Sequence, residues 1–285
     1  MKSIEITTIT KEVRKLLIEA SFNLPDDIKS ALKAAASRET SPRAKKILDL
    51  ILENAEIAAK QKLPLCQDCG SVYVDIDIGP GICIKDSGDL NTRLNQAVAD
   101  TYSKNYLRKS IVNDPLYERK NTSDNTPAIV STGFTSVPGL HIKIYLKGGG
   151  SENCSYLYML NPSAEEAEII DLILKVVKNN VTKCCPPVII GIGLGGGASE
   201  VTGLARKASF GNLNIRNQDK AYRTLENKIL EAVNKTGIGP QGLGGKTTAL
   251  ACNIIYAPCH IATLPMAVFM GCHSLRRAES KISPP

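Results

Sequence analysis

Nine cysteines stand in this sequence, at positions 66, 69, 83, 154, 184, 185, 252, 259 and 272. Their number is odd, and the opening Met1-Lys2-Ser3-Ile4-Glu5 lacks the apolar core of a secretory signal and carries an acid early. Both features point away from a disulfide scaffold and place the chain in the cytoplasm. A cysteine met in isolation reads as a small buried hydrophobe. Three segments read differently: Leu65-Cys66-Gln67-Asp68-Cys69-Gly70, Lys183-Cys184-Cys185-Pro186-Pro187, and Gly271-Cys272-His273-Ser274-Leu275-Arg276-Arg277. Thiolates are the soft ligands of zinc and of iron–sulfur centres. Cys66-x-x-Cys69 has zinc spacing, so a zinc-stabilised binding module is one alternative, but no second CxxC or spaced histidine pair completes four ligands. A thioredoxin-like redox pair would require a βαβ setting that the surrounding residues do not supply.

Glycine-rich loops are the second group that could do chemistry. Gly191-x-Gly193-x-x-Gly196 follows an apolar run and matches the dinucleotide fingerprint, which makes a dinucleotide-dependent oxidoreductase the other alternative. The acidic ribose ligand expected about 20 residues on is missing at that distance. Gly244-Gly245-Lys246-Thr247-Thr248 approaches a phosphate-binding loop, but Pro240 occupies the place of the required earlier glycine. Lys246 and the adjacent amides could still hold a carboxylate. Lys147-Gly148-Gly149-Gly150 fits no phosphate motif, and taken alone reads as a flexible turn whose backbone can approach a ligand closely.

The elements that must position these groups read as mixed α/β. The first 62 residues are helical: Pro25 before Asp26-Asp27 starts one helix, and Ile47, Leu48, Ile51, Ala55 and Ala58 share a face of another. Period two takes over after Cys66, with Val72, Val74, Ile76 and Ile78 on one face of a half-buried strand. Ile142, Ile144 and Leu146 form a second strand that runs into the triple glycine. Asn161-Pro162-Ser163 opens a further helix, Val188-Ile189-Ile190 is a short buried strand before the glycine run, and helices follow over Ser199–Ala208 and Lys220–Asn234. The fold class is mixed α/β (α+β), with a helical N-terminal layer followed by two α/β subdomains. They form a single domain over 1–285, with its one internal seam at Pro162, dividing 1–161 from 162–285. Hydrophobic residues make up 43% and charged residues 22%, a globular composition that excludes a disordered or fibrous chain. No apolar run reaches the roughly 18 residues of a membrane span. The net charge of +7 is dispersed and aromatics make only 5%, which disfavours nucleic acid and suits an anionic metabolite.

The three cysteine segments, with Asn121-Thr122-Ser123-Asp124-Asn125-Thr126-Pro127-Ala128, Lys147–Asn153, Gly237–Thr248 and Pro258-Cys259-His260 between them, closely resemble one family. It is the α subunit of the two-subunit class I fumarate hydratases and L-tartrate dehydratases, the iron–sulfur hydro-lyases. The resemblance runs from about Leu63 to Ile282 and rests on several separate motifs in order. It implies an enzyme in which the two subdomains surround a [4Fe–4S] cluster held by Cys66, Cys185 and Cys272, with one iron left open as a Lewis acid. Cys185 is chosen over Cys184 by its Pro-Pro context. Cys69 stands where relatives often carry threonine. Asp68 resembles the family's acid/base carboxylate and His260 its catalytic histidine, while Gln67, Arg108 and the Gly149 amide match its substrate-binding groups. His273 and Arg276-Arg277 read as a positive surround for the cluster. The chain ends about a dozen residues after Cys272, so the resemblance implies a separate β subunit, a swivelling domain that completes the site in a hetero-oligomer. The implied reaction is hydration of fumarate to (S)-malate, with L-tartrate dehydration as the close alternative.

Overall fold

A computed structural model describes residues 2–85 and 88–283. In chain order the elements are β1 (Lys2–Glu5), α1 (Ile6–Phe22), α2 (Asp26–Arg38), α3 (Pro42–Gln61), β2 (Ser71–Ile78), β3 (Ile82–Lys85) and α4 (Leu90–Lys104). There follow β4 (Ile129–Phe134), β5 (Leu140–Lys147), α5 (Gly149–Glu152), β6 (Ser155–Leu160), α6 (Glu166–Asn180), β7 (Val188–Gly195) and α7 (Ala198–Ser209). The chain closes with α8 (Lys220–Asn234), β8 (Ala249–Ala257), β9 (Leu264–Gly271) and β10 (Arg276–Ile282). Helices and mixed sheets share the chain, as the α+β reading expects. They gather into two compact units, each assembled from separate stretches: Met1–Pro25, Ile57–Gly149 and Arg276–Pro285 in the first, Asp26–Glu56 and Gly150–Leu275 in the second.

That division differs from a seam at Pro162. The chain passes between units at Gly149-Gly150, inside the triple-glycine loop, and the helical N-terminus is not one layer, because α1 belongs to the first unit and α2 to the second. Sequence patterning cannot show this, since each helix carries the same apolar stripe whichever core it faces.

The first unit is built on a four-stranded sheet of order β10-β5-β2-β4, in which β2 pairs antiparallel with β5 and parallel with β4. Ile9, Val13, Leu16, Leu17 and Ala20 recur at helical spacing along α1 and fill its core with Val72, Val74 and Ile76 of β2 and Ile142 and Ile144 of β5. Tyr73 and Asp75 are buried as well, so β2 is covered on both faces rather than half-exposed. Asp89 caps α4, its carboxylate accepting from Asn91 N at 3.3 Å and Thr92 N at 2.9 Å. The second unit holds a sheet of order β6-β9-β7-β8, with β7 parallel to β8 and antiparallel to β9. Ile173, Val177, Ile229 and Val233 of α6 and α8 cover one face. The α6 helix starts at Glu166, later than Asn161-Pro162-Ser163, and Glu165 N is satisfied by Glu168 Oε1 at 3.1 Å.

Two glycine runs find structural partners. Gly191 and Gly193 lie inside β7, which continues through Gly195, where a β-carbon at 191 would be driven into the Ser209 backbone and one at 193 into that of Val201. The spacing serves the close approach of α7 to the sheet. Around Gly244-Gly245-Lys246, Lys246 N donates to Glu39 Oε2 at 2.7 Å, while Thr40 N and Ser41 N each donate to Oε1 at 2.9 Å. Burial alone would push Glu39 up, but the amides of Ser41, Lys246 and Thr40, with the Lys246 charge, hold it below the usual glutamate value. This loop does take a carboxylate, and it is the chain's own.

Candidate active site

In the first unit the Cys66–Gly70 turn leaves α3 and enters β2, and its approach is fixed where Leu65 N donates to Ser21 O at 2.9 Å. Asp68 folds back over the turn. Its Oδ1 accepts from Gly70 N at 3.0 Å and its Oδ2 from Gly149 N at 2.6 Å. Glycine is required on both sides of this contact. A β-carbon at Gly148 would lie 2.9 Å from Asp68 Oδ2, and Gly70, at φ +80°, would meet the Lys147 carbonyl at 2.8 Å. The amide expected to meet a substrate carboxylate thus already holds one, that of Asp68. Arg108 N donates to Cys69 Sγ at 3.1 Å, which brings the segment after α4 to the same turn, and the Arg108 and Gln67 side chains are exposed there. Burial pushes the Cys69 thiol up, against the opposing pull of the Arg108 amide and the Arg276 charge.

The second unit brings the other two cysteine segments together. Cys185 adopts φ +51° before β7, and Cys272 follows β9, which ends beside the start of β7 where Ile189 pairs with Gly271. His273 N donates to Cys185 O at 3.4 Å, and His273 Nδ1 stands 2.9 Å from the same oxygen. Gln241 N donates to Pro186 O at 2.8 Å, and Gln241 Nε2 lies 3.3 Å from that oxygen and 3.1 Å from His273 Nδ1, so one side chain steadies both segments. Burial holds His273 below the usual histidine value, although its bond to the Cys185 carbonyl works the other way.

All nine cysteines are outside disulfides. Cys66 and Cys272 are half-buried and Cys185 is exposed, whereas Cys69, Cys154, Cys184 and Cys252 are buried. The neighbours at 184 and 185 face opposite ways: the Cys184 thiol points inward and donates to Met270 O at 3.7 Å. Within neither unit do three described His, Cys, Asp or Glu side chains stand together as a metal site. The three expected ligands are divided, Cys66 in the first unit and Cys185 and Cys272 in the second. His260 is not brought to them within its own unit. It lies in the connection from β8 to β9, at the opposite end of the sheet from Cys185 and Cys272, separated by the length of β7, about 25 Å. Tyr102, Asn125 and Gln241 hold the cysteine turns and carry no mark in the sequence beyond the places of Asn125 and Gln241 in two of the matched motifs.

A family model described as Fumarate hydratase (Fumerase) matches residues 10–281. The chain belongs to the fumarate hydratase family. Across 278 residues it is 36% identical to a protein of Methanocaldococcus jannaschii named putative L(+)-tartrate dehydratase subunit alpha, covering 96% of this chain and 97% of that one. It is 28% identical over 274 residues to the L(+)-tartrate dehydratase subunit alpha of Escherichia coli strain K12, covering 95% of this chain and 90% of that one. As a member of the fumarate hydratase family the chain is a hydro-lyase of alpha-subunit type. Among the described residues no helix is long and apolar enough to cross a membrane.

Proposed function

We propose that this chain is the α subunit of an iron–sulfur hydro-lyase that reversibly hydrates fumarate to (S)-malate. The observation that carries the reading is the Asp68 turn, where a carboxylate is held by the Gly70 and Gly149 amides beside Cys66, with the Arg108 segment bonded to Cys69. The donor set fits a cluster in kind, since Cys66, Cys185 and Cys272 are thiols outside disulfides and none is fully buried. The other exposed thiols are elsewhere, Cys83 in β3 and Cys259 at the far end of β8. A [4Fe–4S] cluster bound through three thiolates supplies an iron with an open position, a Lewis acid for the hydroxyl that leaves or adds.

This chain's residues then have the remaining work. The exposed Arg108 guanidinium offers two parallel donors to a substrate carboxylate, and the Gln67 amide adds a third donor. Asp68 Oδ2 gives or takes the proton at the carbon beside that carboxylate, and the amides that grip it set its direction. A separate β subunit supplies the groups that hold the second carboxylate and complete the acid–base pair. The names of the relatives favour a second reading of the same site, in which the substrate is L-tartrate and the product oxaloacetate. Anaerobic co-purification with the β partner, followed by assay of both fumarate hydration and L-tartrate dehydration, separates the two. A fully iron-loaded complex that turns over neither substrate refutes the proposal.

A further inference from the structure

Three successive carbonyl oxygens of the cysteine turn, those of Asp68, Cys69 and Gly70, are each met by a buried side chain of the first unit. Arg276 Nη1 donates to Asp68 O at 2.7 Å. The Tyr102 hydroxyl stands 3.0 Å from Cys69 O and 3.1 Å from Gly70 O, and Asn125 Nδ2 donates to Gly70 O at 3.1 Å. Tyr102 and Asn125 are wholly buried and uncharged. Arg276 is equally enclosed, at 2% exposure, yet it carries a full positive charge.

A neutral side chain suffices to tether a carbonyl, as Tyr102 and Asn125 show on the same turn. The charge of Arg276 therefore calls for its own explanation, because an ion taken out of water is costly unless an opposite charge or a full set of hydrogen bonds repays it. Arg276 has neither among the described residues: it forms no ion pair, and its Nε has no hydrogen-bond partner. The acid on the same turn is Asp68 itself. A β-carbon placed on Gly148 would lie 2.9 Å from Asp68 Oδ2 and 3.6 Å from Arg276 Nη2, so the carboxylate and the guanidinium flank one glycine without touching.

We propose that Arg276 is the positioning residue for Asp68. It fixes the carbonyl of that residue from below and sets a buried positive charge beside its carboxylate, so that the carboxylate aims at the Gly148-Gly149 loop instead of swinging on the turn. The assignment deepens the hydro-lyase reading and rests on it only for the kinetic half of its test.

The first half uses the full-length chain without cofactor. Hydrogen exchange at the Gly70 and Gly149 amides, which donate to Asp68, is compared between the parent, Arg276→Gln and Arg276→Lys. In Arg276→Gln these two amides are expected to exchange about tenfold faster while the β2–β5 ladder keeps its protection. Unchanged exchange at Gly149, or protection lost throughout β5, overturns the proposal. The second half uses the anaerobic complex with the partner subunit, corrected for iron content. Arg276→Gln is expected to lower kcat about 100-fold with KM within about threefold of the parent, because misaiming a proton-transfer group harms the transition state more than binding. Arg276→Lys, which keeps the charge and loses the reach of Nη1, is expected to recover part of that loss and carries the test should the glutamine variant not fold. Equal kcat in the parent and Arg276→Lys, together with normal Gly149 protection, also overturns it. If Asp68→Asn keeps full activity, the acid/base role of Asp68 fails while the exchange result still stands.

Discussion

Cys184 and Cys185 are adjacent, and their surroundings predict opposite consequences of losing each sulfur. Cys184 is 1% exposed within the core of the second unit, and its thiol donates to the Met270 carbonyl at 3.7 Å. Replacing it with alanine removes one buried atom comparable to a methylene, about 0.8 kcal/mol of transfer free energy, and leaves a void of roughly 20 Å³ that adds about 0.5 kcal/mol. The loss of stability is then roughly 1–1.5 kcal/mol, a fall in Tm of about 2–5 °C for a chain of this size. Cys185 is exposed at φ +51°, so Cys185→Ala is expected to change the stability of the cofactor-free chain by no more than about 0.5 kcal/mol. Cluster assembly should reverse the ranking. After anaerobic reconstitution, iron and sulfide per chain are expected at parental levels in Cys184→Ala and largely lost in Cys185→Ala. Thermal unfolding of the two cofactor-free variants, with iron and sulfide analysis of the reconstituted ones, measures both effects. If Cys184→Ala loses the cluster while Cys185→Ala retains it, the choice between the neighbours is wrong, and the use of exposure to select ligands fails with it.

Glu39→Gln removes the charge that three backbone amides grip and is expected to cost about 1–2 kcal/mol in urea unfolding at neutral pH. Because the folded-state pKa of Glu39 is depressed, its contribution is present above the ordinary value of 4.5 and lost as pH falls through the lower folded value, so the parent and the variant should converge in acid. A difference that grows on acidification would contradict the assignment. Gly191→Ala drives a methyl group into the Ser209 backbone and is expected to destabilise the second unit by about 1–3 kcal/mol in the same assay. An unchanged midpoint would return that glycine run to the loop role that dinucleotide binding requires. His260→Ala is expected to leave iron content unchanged, since His260 lies at the far end of the sheet from Cys185 and Cys272. Turnover of the iron-corrected His260→Ala complex at the parental level would place His260 outside the reaction, whereas a large loss of turnover with iron unchanged would return it to the catalytic residues.

What the residues announced and what they concealed divides along the range of the interactions. Helix α8 falls on Lys220–Asn234 as its cap and apolar spacing require, because the Asp219 carboxylate that starts it lies within one turn of the amides it satisfies. The strand Val188–Ile190 was legible, but its continuation through Gly195 was not, since glycines without side chains read as loop until α7 is known to press on them. The Gly244–Thr247 loop shows the same limit. Its affinity for a carboxylate is local chemistry, visible in the glycines and the lysine, but the carboxylate that answers it stands at Glu39, more than 200 positions earlier.

The candidate site follows the same physics. Cys66, Cys185 and Cys272 stand out because thiol chemistry is carried by the residue type and its immediate neighbours. Arg276 is named by its closeness in sequence to Cys272, which suggests a companion of that cysteine, yet β10 carries it into the first unit, where it pairs with Leu146 and binds the Asp68 carbonyl. Strand register decides this: one residue of slip between β10 and β5 would turn the guanidinium to the other face of the sheet and leave the Asp68 carbonyl without its donor. The direction of the Asp68 carboxylate is therefore a property of the pairing of the last strand with β5, and a variant that weakens that pairing, such as Ala278→Pro opposite Ile144, should free the Gly149 amide to exchange even though it touches neither residue.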